Sequence, residues 1–363
     1  NEAAGIPVAQ VCIGSCTNSS FADLAVAAHI VEGKTINPDT VLTISPGSRR
    51  TLAAITKSGD LGRLLEAGSR ILECACGPCN GIGQAPASGT NTLRTHNRNF
   101  RGRCGTSDAG SFLCSAEVAA VSALTGVITD PRELGDPPRI EQPDAIADFS
   151  DLFLNPTVNP DSVVIVKGPN IKEIPRGTPP AANLIARVAL KLGDDVTTDD
   201  ILPGGATMLS LRSNVPASVP YLFRHVDPQF ASKLEQLGPN WVVIGGFNYG
   251  QGSAREHAVM VPMYAGLVVV IAKSFATTHR QNLINFGVVP LVFENPGDYG
   301  SIEPGDELQI EPFLDQIGLG TVTVYNNTKK RRFTTLSQCN ARETEIILDG
   351  GLLNQMRLKC GQA

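Results

Sequence analysis

Residues 74–81 read Cys-Ala-Cys-Gly-Pro-Cys-Asn-Gly, a cysteine-rich turn that follows the apolar pair Ile71-Leu72. A further thiol, Cys16, comes just after the apolar run from Val8 to Ile13, where a helix is predicted to begin. Both apolar runs are typical of buried strands. The sequence therefore predicts that two strand ends deliver three of these thiols to one place.

Three kinds of site would explain such thiols. A disulfide suits an oxidising compartment, and nothing in the sequence marks secretion. A structural zinc site usually closes with four cysteine or histidine ligands, and only one Cys-x-x-Cys knuckle, Cys76 to Cys79, is present. An iron–sulfur cluster held by three thiolates would leave one iron open to water or substrate, which makes a Lewis acid. Spacing alone leaves all three readings open.

Motifs along most of the chain carry a family resemblance. They are Ile13-Gly-Ser-Cys16-Thr-Asn-Ser, Ala75-Cys76-Gly-Pro-Cys79, Asn97-Arg98-Asn99-Phe100-Arg101-Gly102-Arg103, Asp195-Val-Thr-Thr-Asp199, Asn248-Tyr-Gly-Gln-Gly-Ser253-Ala-Arg255-Glu-His257 and Lys273-Ser-Phe275-Ala. In this order and spacing the chain resembles the aconitase family, most strongly the short bacterial aconitases. The resemblance does not extend to the family's N-terminal half.

The resemblance implies a hydro-lyase with a [4Fe-4S] cluster held by Cys16, Cys76 and Cys79. It implies that Ser253 is the base that removes a proton from the substrate carbon. Arginine forks bind carboxylates bidentately and stay charged, as a tricarboxylate substrate requires. The substrate-binding residues that the resemblance implies are Asn97, Arg98, Arg103, Asp199, Arg212, Ala254 and Arg255.

Residues 253–256 also have a structural interpretation. Ser253 and Glu256 fit the N-cap and N3 positions of a capping box, with an apolar helix predicted from Gly252 to Tyr264. A hydroxyl at a helix N-terminus would meet free N–H groups and the positive end of the dipole, which stabilise an alkoxide. The two roles of Ser253 are compatible.

Three positions depart from the family pattern. Ala254 stands where a second serine is usual, Asp200 replaces a histidine, and Thr277 replaces an arginine. Ala254 can offer a backbone N–H to substrate but no hydroxyl, and Asp200 adds negative charge near an anion site. These changes leave the chemistry in place and the identity of the substrate open.

Composition argues against nucleic-acid binding and a membrane span, and it indicates the redox compartment. The net charge of −5 offers no electrostatic footprint for nucleic acid, and no apolar run approaches the roughly 18 residues of a membrane span. Nine cysteines cannot all pair, so a reducing compartment is expected, and we predict a cytoplasmic protein.

Strands alternating with helices predict an α/β fold in two domains. Residues 1–148 are expected to form a three-layer α/β domain with a largely parallel sheet that carries the cluster cysteines. Residues 149–182 are expected to be a linker, and the resemblance implies a swivelling β/β/α domain over 183–363. The predicted strands include 8–13, 40–44, 92–94 and 345–348, and the predicted helices include 21–31 and 116–124.

The resulting prediction is an aconitate hydratase that interconverts citrate and isocitrate through cis-aconitate by dehydration and rehydration. It would need the family's N-terminal domains, in the same polypeptide or as a separate subunit, because residues that protonate the leaving hydroxyl belong there. One alternative is a related hydro-lyase for homoaconitate, 2-methylisocitrate or isopropylmalate. The other is a non-catalytic cluster-binding module.

Overall fold

The computed structural model describes residues 2–143, 148–204 and 206–361. The chain divides into two units, Asn1–Val163 and Val164–Ala363. This division falls inside the stretch that the sequence predicts as a linker, and the predicted domain bounds stay predictions. Each unit has its own buried core.

The first unit is built on a five-stranded sheet. Its strands are β1 Gln10–Ile13, β2 Val41–Ile44, β3 Arg70–Ile71, β4 Asn91–Arg94 and β5 Gly110–Leu113. They lie in the order β3-β2-β1-β4-β5, and every pair is parallel. The predicted α/β class with a parallel sheet is thereby confirmed. The sequence did not predict β5, because Gly110-Ser-Phe-Leu lacks a continuous apolar run.

Helices cover one face of this sheet. They are α1 Phe21–Val31, α2 Arg49–Lys57, α3 Asp60–Glu66 and α4 Ala116–Thr125. A capping box of Ser20 and Asp23 starts α1, and Gly126 in the left-handed region ends α4. Val11 and Leu93 of the sheet are buried in one apolar cluster with α1 and α4.

The other face of the sheet is polar, because side chains alternate along a strand. Gln10 pairs with Thr92 in the ladder, and Cys12 pairs with Arg94, so these four side chains share that face. The loop that carries the cysteines lies over it, since Arg94 Nη1 donates to the Pro78 carbonyl. Among the described residues this layer is therefore an irregular loop, where the sequence predicts a third layer of the α/β sandwich.

The second unit contains a closed seven-stranded barrel. Its strands are β6 Leu184–Lys191, β7 Trp241–Gly245, β8 Leu267–Ala272, β9 Val289–Phe293, β10 Glu307–Ile310, β11 Thr321–Asn326 and β12 Arg331–Leu336. They close in the order β10-β11-β12-β9-β8-β7-β6, with β6 to β9 parallel and the other pairs antiparallel. One buried apolar cluster takes side chains from all seven strands. The swivelling of this unit stays a prediction.

A second apolar cluster joins this barrel to surrounding helices. These helices are α5 Thr198–Ile201, α6 Ala206–Ser210, α7 Val215–Ser218, α8 Phe230–Leu237, α9 His257–Tyr264 and α10 Thr277–Asn285. Three further helices, α11 Phe313–Leu319, α12 Ala341–Leu348 and α13 Leu352–Lys359, pack against the first cluster. The strand predicted at 345–348 is wrong, because a capping box of Asn340 and Glu343 starts α12 there. Across the described ranges, no helix combines the length and apolar character needed to cross a membrane.

His279 gives the stability of the barrel unit a dependence on pH. Its side chain is 2% exposed, its ring packs against that of Tyr249, and its Nδ1 has no hydrogen-bond partner in the described part of the chain. Burial lowers the pKa of His279 to about 4. As the pH falls, His279 therefore becomes protonated at a higher pH in the unfolded chain than in the folded chain.

We expect neutral, buried His279 to contribute fully to the free energy of unfolding above about pH 6.5. This contribution should decline toward pH 4, by about 3 kcal/mol at most. Trp241, the single tryptophan, is buried in β7, so its fluorescence follows unfolding of this unit in urea. His279→Phe should lose part of the wild-type pH dependence between about pH 7 and pH 5, and the exposed-site control His225→Gln should keep it. Equal pH dependence in His279→Phe and wild type would contradict the assignment.

Candidate active site

The loop after β1 presents Cys16, and its path requires a glycine. Gly14 has a φ of +85°, and a Cβ there would lie 2.3 Å from Ser19 Oγ. Any other residue would be strained by the backbone and would clash with its neighbour. The chain can therefore turn sharply after Ile13 and leave Cys16 exposed at the carboxyl end of the strand.

The end of β4 holds the same loop in place. Gly14 N donates to Thr95 Oγ1 over 2.8 Å, and Asn18 Nδ2 donates to the Thr95 carbonyl over 2.6 Å. His96 Nε2 lies 3.0 Å from the Gly14 carbonyl. Burial, and after it the charge of Arg94, lowers the pKa of His96 to about 4, so the ring is neutral near pH 7 and donates through Nε2.

Cys76 is the N-cap of a short 3₁₀ turn, Gly77–Asn80, that follows β3 and contains Cys79. Cys76 is exposed and Cys79 is buried. Partial desolvation raises the pKa of the Cys76 thiol, and the charges of Cys79 and Cys16 raise it further. Cys16 and Cys79 therefore both lie close enough to Cys76 for their charges to act on it.

Among the predicted arginine and amide residues of this unit, Arg103 contacts one of these thiols. Arg103 Nε donates to the Cys79 carbonyl over 3.0 Å, and its Nη2 lies 3.5 Å from Cys79 Sγ. Asn97 is exposed and Arg98 half-buried, and neither side chain has a hydrogen-bond partner within the described ranges. Their donors are therefore available to a ligand.

The donor set fits an iron–sulfur cluster. All nine cysteines are free thiols. In the part of the chain that the structure describes, no three His, Cys, Asp or Glu side chains surround a position for a single metal ion. The thiolates of a cluster each bind a different iron, so they need not converge on one point. Neighbouring thiolates also repel one another, and the cationic core of a cluster would offset that repulsion.

The second unit holds another group of candidate residues around α5. Asp199 Oδ1 accepts a hydrogen bond of 2.9 Å from Arg255 Nη1, which also donates to the Leu202 carbonyl over 2.6 Å. Asp200 Oδ2 accepts from Thr197 N and Oγ1, and Thr197 Oγ1 caps the helix in return. The charge at Asp200 therefore serves a capping box, while Asp199 orients Arg255.

The predicted capping box at Ser253 is wrong. Helix α9 begins at His257, and its N-cap is Glu256, whose own backbone is already helical and whose side chain makes no capping bond. Ser253 lies half-buried before this helix, with its carbonyl 3.3 Å from Thr198 Oγ1, and Ala254 is exposed. Ser253 therefore does not cap α9.

Arg212 belongs to the same neighbourhood. Its side chain is exposed, and it lines a cavity of about 20 Å³ together with Arg255 and His257. A cavity of this size admits about one water. His257 Nε2 lies 2.9 Å from the Arg212 carbonyl and so links α9 to the segment that carries Arg212.

The candidate residues thus form two groups, one in each unit. The first contains the thiols with Asn97, Arg98 and Arg103, and the second contains Asp199, Arg212, Ser253, Ala254 and Arg255. Sequence reasoning missed His257, although it ends a motif quoted above, and it missed Arg94. A charged residue inside the buried strand β4 was the available signal for Arg94.

Comparisons with known proteins match both units. Residues 1–126 match the model of the aconitase family (aconitate hydratase), and residues 225–296 match that of the aconitase C-terminal domain. The mitochondrial aconitate hydratase of Gracilaria gracilis is 32% identical over 96% of this chain and 51% of its own length. The mitochondrial homoaconitase of Cryptococcus neoformans is 31% identical over 80% of this chain and 41% of its own length.

A solved structure, 3-isopropylmalate dehydratase of Methanocaldococcus jannaschii, is 30% identical and covers 49% of this chain and 95% of that one, with a TM-score of 0.41. The chain spans about half the length of the curated relatives that it matches. The two family models together cover more than half of its residues, in the order in which the motifs occur. The chain belongs to the aconitase family.

Proposed function

We propose that this chain is the cluster-binding and proton-abstracting part of a hydro-lyase that isomerises citrate and isocitrate through cis-aconitate. The observation that carries the proposal is that Arg103 of the arginine motif contacts Cys79, with Nε 3.0 Å from its carbonyl and Nη2 3.5 Å from its Sγ. Relatives named aconitate hydratase and homoaconitase support the reaction class. The cytoplasmic location and the likeness to the short bacterial members stay predictions.

Cys16, Cys76 and Cys79 would hold the cluster through their thiolates. When bound, a [4Fe-4S] cluster with three protein ligands supplies a Lewis-acidic iron that makes hydroxide a better leaving group. Asn97, exposed at the end of the β4 segment, would donate from its amide beside this site.

Residues of the chain would bind and deprotonate the substrate. Arg98 has unused donors for a carboxylate, and Arg103 adds positive charge next to Cys79. Arg255, oriented by Asp199, and Arg212 supply further forks, and the Ala254 N–H adds a donor. Ser253 would take the proton from the substrate carbon, with the Arg255 charge favouring its alkoxide.

Homoaconitate is the second candidate substrate, because the homoaconitase relative matches almost as well as the aconitate hydratase. Ala254 removes a hydroxyl from the binding group, which changes recognition at that position. Asp200 bears less on the substrate, since its carboxylate is held by Thr197. We propose that the swivelling domain and the N-terminal domains of the family complete the enzyme.

Turnover tests the proposal directly. We expect the chain, expressed with the N-terminal aconitase domains and reconstituted with iron and sulfide, to convert citrate faster than homoaconitate, 2-methylisocitrate or isopropylmalate. Formation of cis-aconitate is followed by its ultraviolet absorbance. Faster turnover of another acid would replace the substrate and keep the reaction class. A loaded cluster without any turnover would favour a non-catalytic binding module.

Cluster loading tests the thiols separately from activity. Cys76→Ser should abolish stoichiometric iron, labile sulfide and the broad visible absorbance, because one of three ligands is lost. Cys74→Ser is the matched control, since Cys74 is also exposed and lies two residues away. Stoichiometric zinc without iron after anaerobic purification would refute the cofactor, and so would equal iron loss in the two variants.

Ser253 can now be tested without interference from helix capping. Because the N-cap of α9 is Glu256, Ser253→Ala removes no helix cap. Turnover should fall on the order of 10²–10⁴-fold, as for loss of a general base, with the visible spectrum unchanged. Ser232→Ala, at an exposed position in α8, controls for loss of a hydroxyl. Turnover of Ser253→Ala within a few-fold of wild type would rule out the catalytic role.

A further inference from the structure

Arg94 is a charged residue at the centre of the buried polar face of the sheet. Its side chain is 2% exposed. Its Nε donates to Thr92 Oγ1 over 3.2 Å, its Nη2 donates to Gln10 Oε1 over 2.9 Å, and its Nη1 donates to the Pro78 carbonyl. Every one of these acceptors is neutral.

Among the described residues, no carboxylate pairs with this charge. Within the described ranges Arg94 makes no ion pair, whereas Arg63 in the same unit pairs with Asp60 and Glu32. The sequence itself has no Asp or Glu from Cys74 to Ser107. A buried cation costs several kcal/mol in desolvation unless an opposite charge lies near it. The anion that compensates Arg94 is therefore not a side-chain carboxylate of this stretch.

The loop that Arg94 holds is the one that carries the thiols. Pro78 lies between Cys76 and Cys79, so the guanidinium is bonded to the backbone of the Cys-x-x-Cys turn. Gln10 Nε2 holds the far end of the loop through the Ala85 carbonyl, over 2.9 Å. Arg94 and Gln10, which are hydrogen-bonded to each other, thus hold the loop to the sheet at Pro78 and at Ala85.

We propose that Arg94 is a positioning residue that also supplies the buried counter-charge of the cluster. The inference rests on the cofactor of the proposed function. A [4Fe-4S] core of charge 2+ ligated by three thiolates is a net anion, and it would form beside the turn that Arg94 holds. Binding the cluster would supply the negative charge that the buried guanidinium lacks, and the guanidinium would favour the more negative, reduced cluster.

The test uses the whole chain reconstituted anaerobically with iron and sulfide, in three variants. We expect Arg94→Gln to release iron to a chelator on the order of tenfold faster than wild type, as for loss of one hydrogen bond to a charged group. Its cluster midpoint potential should fall, because a positive charge has been removed. Arg94→Lys keeps the charge and should stay within about threefold of the wild-type release rate, with a wild-type potential.

Arg63→Gln is the matched control, because it removes an arginine charge from the same unit at a position paired with carboxylates. It should leave the potential unchanged. Wild-type release and potential in Arg94→Gln would overturn the inference, as would an equal shift in Arg63→Gln. If Arg94→Gln does not fold, Arg94→Lys decides: a wild-type potential supports the inference and a shifted potential overturns it. A wild-type chain that binds no iron would instead refute the proposed cofactor, and this inference with it.

Discussion

The alternation of side chains in the short parallel strands of the first unit constrains everything built on them. One face of the sheet is apolar and is buried against α1 and α4. The other face carries Gln10, Thr92 and Arg94, which are also buried and must therefore be hydrogen-bonded. A third layer of apolar helix could not satisfy these groups. An irregular loop with exposed carbonyls can, and that loop carries Cys76 and Cys79.

This constraint explains which parts of the fold the sequence predicts. Strands β1 and β2 are visible because their core-facing residues lie within apolar runs, as Val11 does in Val8 to Ile13. Strand β5 escapes prediction because it lies at the sheet edge and is only half-buried. Residues 345–348 are wrongly predicted as a strand because a short apolar run fits either a buried strand or a helix. The Asn340 cap identifies this run as part of a helix.

In the candidate site, too, the sequence predicts some features and not others. The spacing of cysteines and arginines predicts which residue types gather, because loops at the carboxyl ends of parallel strands meet at one edge. The start of α9 is not predictable in this way, since Ser253 and Glu256 match the capping box as well as Asn340 and Glu343 do. The two segments differ in their tertiary contacts, because Thr198 Oγ1 of α5 donates a hydrogen bond to the Ser253 carbonyl. Arg94 is missed for a related reason, because its acceptors are brought to it only by folding.

Net charge is a poor guide to the field that an anionic ligand would meet here. The chain carries −5 overall, yet Arg94, Arg98, Arg101 and Arg103 fall in a stretch from Cys74 to Ser107 with no carboxylate. Interactions between exposed charges fade over about 10 Å at ordinary salt, so this local excess dominates at the thiols. The tricarboxylate and the thiolate-ligated cluster that we propose are both anions, and carboxylates close to the thiols would repel both. The acidic residues must therefore be kept elsewhere, and the sequence does this by excluding them from the segment that joins the Cys-x-x-Cys turn to the arginine motif.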